Sequence, residues 1–174
     1  MTRSIFKTDR KASLESKIKR FSFNFHPAYR RSGGRVCFIS SDWQEVHVKL
    51  GLNRRTRNIV GTVFGGSIFS SLDPIYMTQF IKILGAEYIV WDKSATINFI
   101  KPITKTVFAR FLITDELLEE IKARVEARNK YTFEISVAFE DEKGSIYAEC
   151  NRTIFVGDKS YMDDLMQKRA HSQS

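Results

Sequence analysis

The chain has 174 residues, 43% of them hydrophobic, and a formal net charge of +8. That length fits one domain able to bury roughly 70% of its unfolded surface, and that composition excludes a disordered or collagen-like chain. No membrane-spanning or signal-type segment is legible: the nearest apolar run, Ser67–Ile81, is short and carries Asp73, so a soluble, cytoplasmic protein without membrane insertion is expected.

The charge is uneven. Residues 1–31 hold nine Lys/Arg against Asp9 and Glu15, so the basic character belongs to an N-terminal arm. Such an arm suits a solvated helix face, nucleic acid, an anionic membrane or a polyanionic ligand. Since nothing besides the arm points to nucleic acid, no nucleic-acid partner is expected. Within the arm, "SLESKIKRFSFNF" reads as an amphipathic helix with Leu14, Ile18, Phe21 and Phe25 on one face and Ser13 as cap. His26-Pro27 ends or bends it, and Ser32-Gly33-Gly34 is a turn.

Two strands follow. "RVCFIS" is apolar throughout, whereas "WQEVHVKL" alternates, placing Val46, Val48 and Leu50 inward and His47 on a solvated polar face. Cys37 and Cys150 both fall in strand-like segments with no cysteine or histidine at metal spacing. Buried free thiols are expected, with no metal and no cofactor. "GLNRRTRN" is a polar, basic loop. Residues 66–84 then form a helix that is apolar nearly all round, interrupted by Asp73-Pro74 and stopped by Gly85.

The remainder reads as strand ("EYIVWDKSATINFIKP"), strand ("TVFARFLIT"), a helix capped by Thr114 with Leu117, Leu118, Ile121 and Val125 on one face, then a hairpin of "YTFEISVAFED" and "SIYAECNRTIFV". The last residues form a polar tail or a short helix. A helix as apolar as 66–84 needs cover on most sides. An α+β fold follows, with a curved antiparallel sheet wrapped around that helix. The expected division is a basic arm at 1–31, one domain at 32–157 and a tail at 158–174.

Over about residues 33–156 the chain resembles the hotdog-fold acyl-CoA thioesterases, in the PaaI-like branch related to the phenylacetate-pathway enzymes. It is more similar still to an uncharacterised subgroup of tetrameric acyl-CoA thioesterase-like proteins. The motifs that carry this are "FGGSIFSSLDPIY", "LGAEYIVWDKSATINFIKP", "ARFLITDELLEEI" and "DEKGSIYAEC". In that branch His-Gly-Gly opens the central helix and a catalytic acid lies nine residues after the histidine. The matching positions here are Phe64-Gly65-Gly66 and Asp73. The resemblance implies an acyl-CoA or related thioester as substrate, a homodimer or homotetramer, and a site shared between subunits.

Chemistry fits that placement. First-turn N–H groups at Gly65 and Gly66 are free to hold a thioester oxygen, and Asp73 can act as general base or nucleophile. Equally, the glycines can make a tight turn and Asp73 can be a structural carboxylate. Phe64 cannot move a proton, so the chemistry rests on Asp73 and the backbone; a non-catalytic protein that binds acyl-CoA or another lipidic ligand is the alternative. Asn58 matches an Asn/Gln that orients water or carbonyl in relatives, though it also suits a turn. Ser70 and Thr78 are candidates to line the site beside Phe64. Arg54, Arg55 and Arg57 are candidates for CoA phosphates. Pro74 is expected to open the helix beside Asp73 or to bend it along the sheet.

Overall fold

A computed structural model describes residues 5–171 of the chain. Arg3 of the basic arm and residues 172–174 of the expected tail lie outside the described residues.

Helix α1 (Leu14–Phe25) begins where the Ser13 side chain accepts the Ser16 N–H, which satisfies one of the donors a helix start leaves unpaired. Pro27 opens α2 (Pro27–Ser32) in the first turn, where a missing N–H costs no helical bond. Gly33, in the left-handed region at φ 85°, closes it. At Gly34 a Cβ would lie 2.5 Å from the Ser71 Cβ, so only glycine lets this turn lie against the central helix.

The chain continues as β1 (Arg35–Ile39), β2 (Glu45–Leu50), α3 (Gly65–Leu84), β3 (Tyr88–Phe99), β4 (Val107–Leu112), α4 (Asp115–Arg128), β5 (Lys130–Glu140), β6 (Ile146–Asp158) and α5 (Lys159–His171). The expected C-terminal tail is thus helical within the described residues. The strands form one six-stranded sheet in the order β1-β2-β4-β5-β6-β3, every neighbouring pair antiparallel. Helix α3 lies in its concave face and touches β2, β3, β4 and β6. Ile68, Leu72, Ile75, Tyr76, Gln79, Phe80 and Leu84 recur at helical spacing on its buried side. The Tyr76 ring meets Phe111 edge-on at 4.8 Å, and Phe80 meets Phe133 at 5.4 Å. This is the hotdog architecture, as the pattern of one apolar helix among alternating strands predicts.

Three expectations change. Helix α3 is not covered all round: Gly66, Ser70, Asp73, Ile81 and Lys82 face outward, so Asp73 is not a buried carboxylate. Helix α1 forms as predicted, but Leu14, Ile18, Phe21 and Phe25 point to solvent; its inner side is made by Ser16, Phe23 and Asn24, the last bonded to Val36 through both amide atoms.

The third is His47, which is buried rather than solvated. Alternation does place it on the outer face of β2, but the N-terminal segment passes over that face. Thr8 Oγ1 donates to Glu45 Oε2 at 2.7 Å, and the Phe6 ring meets His47 at 5.0 Å. A cover supplied by residues 40 positions away leaves no trace in a strand's own alternation. Cys37 and Cys150 are free and buried, as expected.

Candidate active site

Asp73 projects from the outer side of α3, and its side chain is 51% exposed. Its Oδ1 accepts a hydrogen bond from Arg152 Nη2 at 2.9 Å. Arg152 is only 1% exposed and also bonds Asp92, through Nη2 to Oδ2 at 2.7 Å and through Nε to Oδ1 at 3.2 Å. Burial opposes the charge on Arg152, but the hydrogen bonds and charges of Asp73 and Asp92 outweigh it and raise its pKa further. A buried guanidinium left alone would be too costly to keep, so the two carboxylates define its orientation. Its Nη1 carries no hydrogen bond among the described residues, and the group lies 6.0 Å from the Phe69 ring.

Local sequence explains how three elements meet here. On β6 the inward positions are Ala148, Cys150, Arg152, Ile154 and Val156, all buried. An arginine inside an apolar alternation has to find anions. On β3, Asp92 stands opposite Ile154 and Ala95 stands opposite Arg152. Three residues on β3 thus span two on β6, which requires the bulge between Asp92 and Ser94. Without that extra residue, alternation would turn Asp92 to the other face and away from Arg152.

Asp73 lines a cavity of about 520 Å³ between α1, α2 and α3. Ser70, Pro74 and Thr78 line it from α3, and Phe23, Tyr29 and Trp43 supply apolar wall. Ser70 Oγ donates to the Gly66 carbonyl and Thr78 Oγ1 to the Pro74 carbonyl, each at 2.6 Å, so both hydroxyl protons are spent within the helix and their lone pairs face outward chemistry only as acceptors. Pro74 lacks an N–H, so the Ser70 carbonyl loses its helical donor beside Asp73, although α3 runs on through Leu84. Trp43 has φ 62°, an uncommon conformation for a bulky residue, and its carbonyl accepts from Gln79 Nε2 at 2.7 Å.

The remaining predicted residues are elsewhere. Gly65 and Asn58 line a second cavity, of about 330 Å³, with Phe99 and Ile100. Asn58 is occupied by its own turn: Nδ2 donates to Thr62 Oγ1 and Oδ1 accepts from the Val60 and Thr62 N–H groups. Neither Gly65 nor Gly66 has positive φ, so the backbone does not require glycine there. The space is tight rather than closed: a Cβ would stand 3.1 Å from the Phe99 ring at Gly65 and 2.3 Å from the Phe64 ring at Gly66, and both rings are exposed side chains that can shift. Phe64 itself is exposed. Arg54 and Arg55 line a third cavity, whereas the Arg57 guanidinium lies over Gly61. The chain therefore brings together Asp73, Ser70 and Thr78 on one cavity, while Gly65 and Asn58 line a second, Arg54 and Arg55 a third, and Gly66, Phe64 and Arg57 line none of these.

Arg152, Asp92 and Trp43 were not anticipated. The signal for Arg152 was present, as the one charge on the inward side of an otherwise apolar strand. The signal for Asp92 depended on a bulge that no residue announces. No helix among the described residues is long and apolar enough to cross a membrane, and no cluster of potential metal ligands occurs among them.

Residues 17–156 match the model of a family described as a domain of unknown function, DUF4442. The chain belongs to this family. Among solved structures, the DUF4442 chain is similar to PA5026 of Pseudomonas aeruginosa, described as "Probable Thioesterase". That pair has 17% identity and a TM-score of 0.72, covering 84% of this chain and 98% of the other. A protein of unknown function from Chlorobaculum tepidum gives 14% identity and a TM-score of 0.66, with 83% and 95% covered. Thioesterase HI1161 of Haemophilus influenzae gives 14% and 0.57, with 86% and 93% covered. At these identities the likeness establishes the fold. No curated protein matches the chain.

Proposed function

We propose that this DUF4442 protein is a cytoplasmic thioesterase that hydrolyses an acyl-CoA or a related acyl thioester. Either water, deprotonated by Asp73, attacks the carbonyl carbon and the C–S bond breaks to release a carboxylic acid and a free thiol, or Asp73 attacks, the thiol leaves, and water then hydrolyses the acyl-aspartyl anhydride to release the acid and restore the carboxylate. Asp73 serves as general base or nucleophile, and the first-turn N–H groups at Gly65 and Gly66 receive the developing oxyanion.

The observation that carries this reading is the state of Asp73. Arg152 holds one of its oxygens, while Oδ2 has no hydrogen bond among the described residues and the side chain opens onto an apolar-walled cavity. Such a carboxylate is oriented yet available.

Asp73 lies eight residues after Gly65, so the two are about 12 Å apart along one helix. They cannot serve one carbonyl within a chain. A second copy that brings its Gly65–Gly66 turn beside Asp73 solves this, and we propose a homodimer, or a dimer of such dimers. Two features support it: β3 is an edge strand with an open side, and Phe64 beside the glycines and Phe99 and Ile100 at the end of that strand are exposed apolar side chains.

A panel of acyl-CoA esters tests the reading through release of free thiol. Wild type is expected to turn over at least one, and Asp73→Asn to lower kcat about 10²- to 10⁴-fold. Full activity in Asp73→Asn removes the site assignment. Binding without turnover by wild type favours the second reading, a non-catalytic carrier of acyl-CoA or another lipidic ligand. The engaged Asn58 amide and the aprotic Phe64 are the observations on that side.

A further inference from the structure

We propose that this protein docks on anionic membrane surfaces through the exposed apolar face of α1 and the cationic cavity at its end, as a peripheral contact and not a span.

Leu14, Ile18, Phe21 and Phe25 follow one another at spacings of four, three and four, so they form one stripe along α1. Their exposures lie between 56% and 74%. The helix does not need this stripe for folding, because it docks on β1 through its other side, with Asn24 bonded to Val36 and Arg20 Nη1 donating to the Cys37 carbonyl at 2.7 Å. Four large apolar side chains in a row on a solvated helix mark a surface that meets something apolar.

The end of the stripe gives the chemistry of that partner. The Phe21 and Phe25 rings lie 4.3 Å apart, and Phe25 lines a cavity of about 820 Å³ together with Arg30, Arg35, Lys49, Arg54 and Arg55. No carboxylate lines this cavity, and none of the five cations has an ion pair among the described residues. Five like charges around one hollow repel each other and call for several anions.

An apolar helix face that ends on a cluster of cations is the pattern of an interfacial helix. The side chains enter the boundary of the acyl region, and arginine and lysine meet the lipid phosphates. A second copy of the chain is a poorer occupant, since a two-fold contact on the stripe would bring two cationic cavities together. A free phosphate ligand would account for the cavity and leave the stripe in water. The flank of α1 that carries Lys19, Ser22, Phe23 and His26 lines the Asp73 cavity, so docking through the neighbouring stripe would bring that cavity close to the bilayer. The docking itself does not rest on the proposed hydrolysis.

The test is co-sedimentation of the full chain with phosphatidylcholine vesicles, with and without phosphatidylglycerol. Wild type is expected to bind only the anionic vesicles. Phe21→Ser with Phe25→Ser, and separately Arg54→Ser with Arg55→Ser, should each lower binding at least about tenfold. Lys122→Ser with Arg128→Ser, which removes two exposed charges from α4, should leave it unchanged. A Phe21→Trp variant should show a blue-shifted emission on anionic vesicles, the sign of burial in the boundary. Circular dichroism of each variant checks folding. Equal loss in the α4 variant reduces the effect to net charge and overturns the proposal. So does undiminished binding in the phenylalanine variant. No vesicle binding, with a dimer that the phenylalanine variant dissolves, assigns the stripe to a self-contact instead. No vesicle binding, with coenzyme A held by wild type and lost in the Arg54/Arg55 variant, assigns the cavity to a soluble phosphate ligand.

Discussion

Two buried charge clusters sit on opposite faces of the same sheet. On the outer face, Glu45 and His47 of β2 and Arg110 of β4 meet beneath the N-terminal segment. Glu45 Oε1 accepts from Arg110 Nε and contacts His47 Nε2, both at 2.7 Å, and Oε2 accepts from Thr8. On the inner face, Arg152 of β6 binds Asp92 and Asp73. Each cluster centres on one side chain removed from water, Glu45 in the first and Arg152 in the second. Charge burial alone therefore cannot mark the functional one, since a buried ion pair is as often neutral for stability as helpful. The difference lies in what remains free. Both oxygens of Glu45 are engaged and sealed under Thr8, Arg10 and Phe6. Asp73 keeps one oxygen unengaged at the mouth of a cavity. The first carboxylate is consumed by the fold, while the second is held by it and presented.

The largest effect that separates the two comes from Arg152→Met. Methionine fits the space but leaves Asp73 and Asp92 without their shared cation. Removing one partner of a buried pair costs about 3–5 kcal/mol. Here the lower end is expected, because Asp73 and Asp92 retain access to water. The urea midpoint reads this directly. An unchanged midpoint would show that Arg152 does not hold α3 to the sheet. Adding Asp92→Asn to Arg152→Met should recover part of the loss, since one unpaired carboxylate is then gone.

Glu45→Gln comes next, at about 1–3 kcal/mol, the range for a buried acceptor whose donors lose their best partner. It sharpens the comparison because stability and turnover should separate. Glu45→Gln is expected to lower the urea midpoint and leave thioester turnover at the wild-type rate. Asp73→Asn is expected to lower turnover about 10²- to 10⁴-fold with a smaller change in midpoint, because half of that side chain is already in water. If Glu45→Gln lost activity as fully as Asp73→Asn, the outer cluster could not be read as structural.

The same contrast explains what the sequence disclosed. Element types followed from local pattern: the apolar period of α3, the alternation of β5 and β6, the Ser13 and Thr114 caps and the Gly85 stop all act within a few residues. Asp73 stood out through the resembled motif, nine residues after Phe64, whereas nothing local assigned Ser70 or Thr78 a role; the structure places all three on one cavity. His47 was misplaced because its cover comes from residues 6–10, and nothing in "WQEVHVKL" encodes a strap from the far end of the chain. The stripe of α1 was legible as amphipathic, but its direction was not, since Asn24 and Arg20 turn the polar side inward by bonding the backbone of β1. Asp92 was hidden by a bulge, which changes a side chain's face without changing the composition around it.

The smallest effect is a slope of stability against pH, and it isolates His47. Burial pushes the His47 pKa down; the hydrogen bond and charge of Glu45 oppose this, and the charge of Arg110 adds to it, with a net lowering. The geometry gives the reason. With Nε2–H donated to Glu45, Nδ1 is buried without a hydrogen bond among the described residues, and the imidazole centroid lies 5.0 and 4.9 Å from the Phe6 and Phe38 ring centroids. A second proton would bury an N–H with no acceptor. The unfolded chain, whose histidines titrate near 6.5, therefore binds the proton more readily than the folded one. Stability from this site is complete above about pH 6.5 and is lost as pH falls below it. Glu45 acts lower on the scale. Burial opposes its ionisation, but hydrogen bonds from Thr8, His47 and Arg110 outweigh that and lower its pKa. Its contribution is thus present above the ordinary carboxylate range, near 4.3, and fades only below it. The two windows do not coincide, so urea midpoints measured at descending pH should fall in two stages. His47→Gln keeps a donor for Glu45 and cannot titrate; it is expected to flatten the first stage and leave the second. If the first stage persists in His47→Gln, another group carries it, and the seal formed by Phe6 and Thr8 over β2 is not what lowers the histidine.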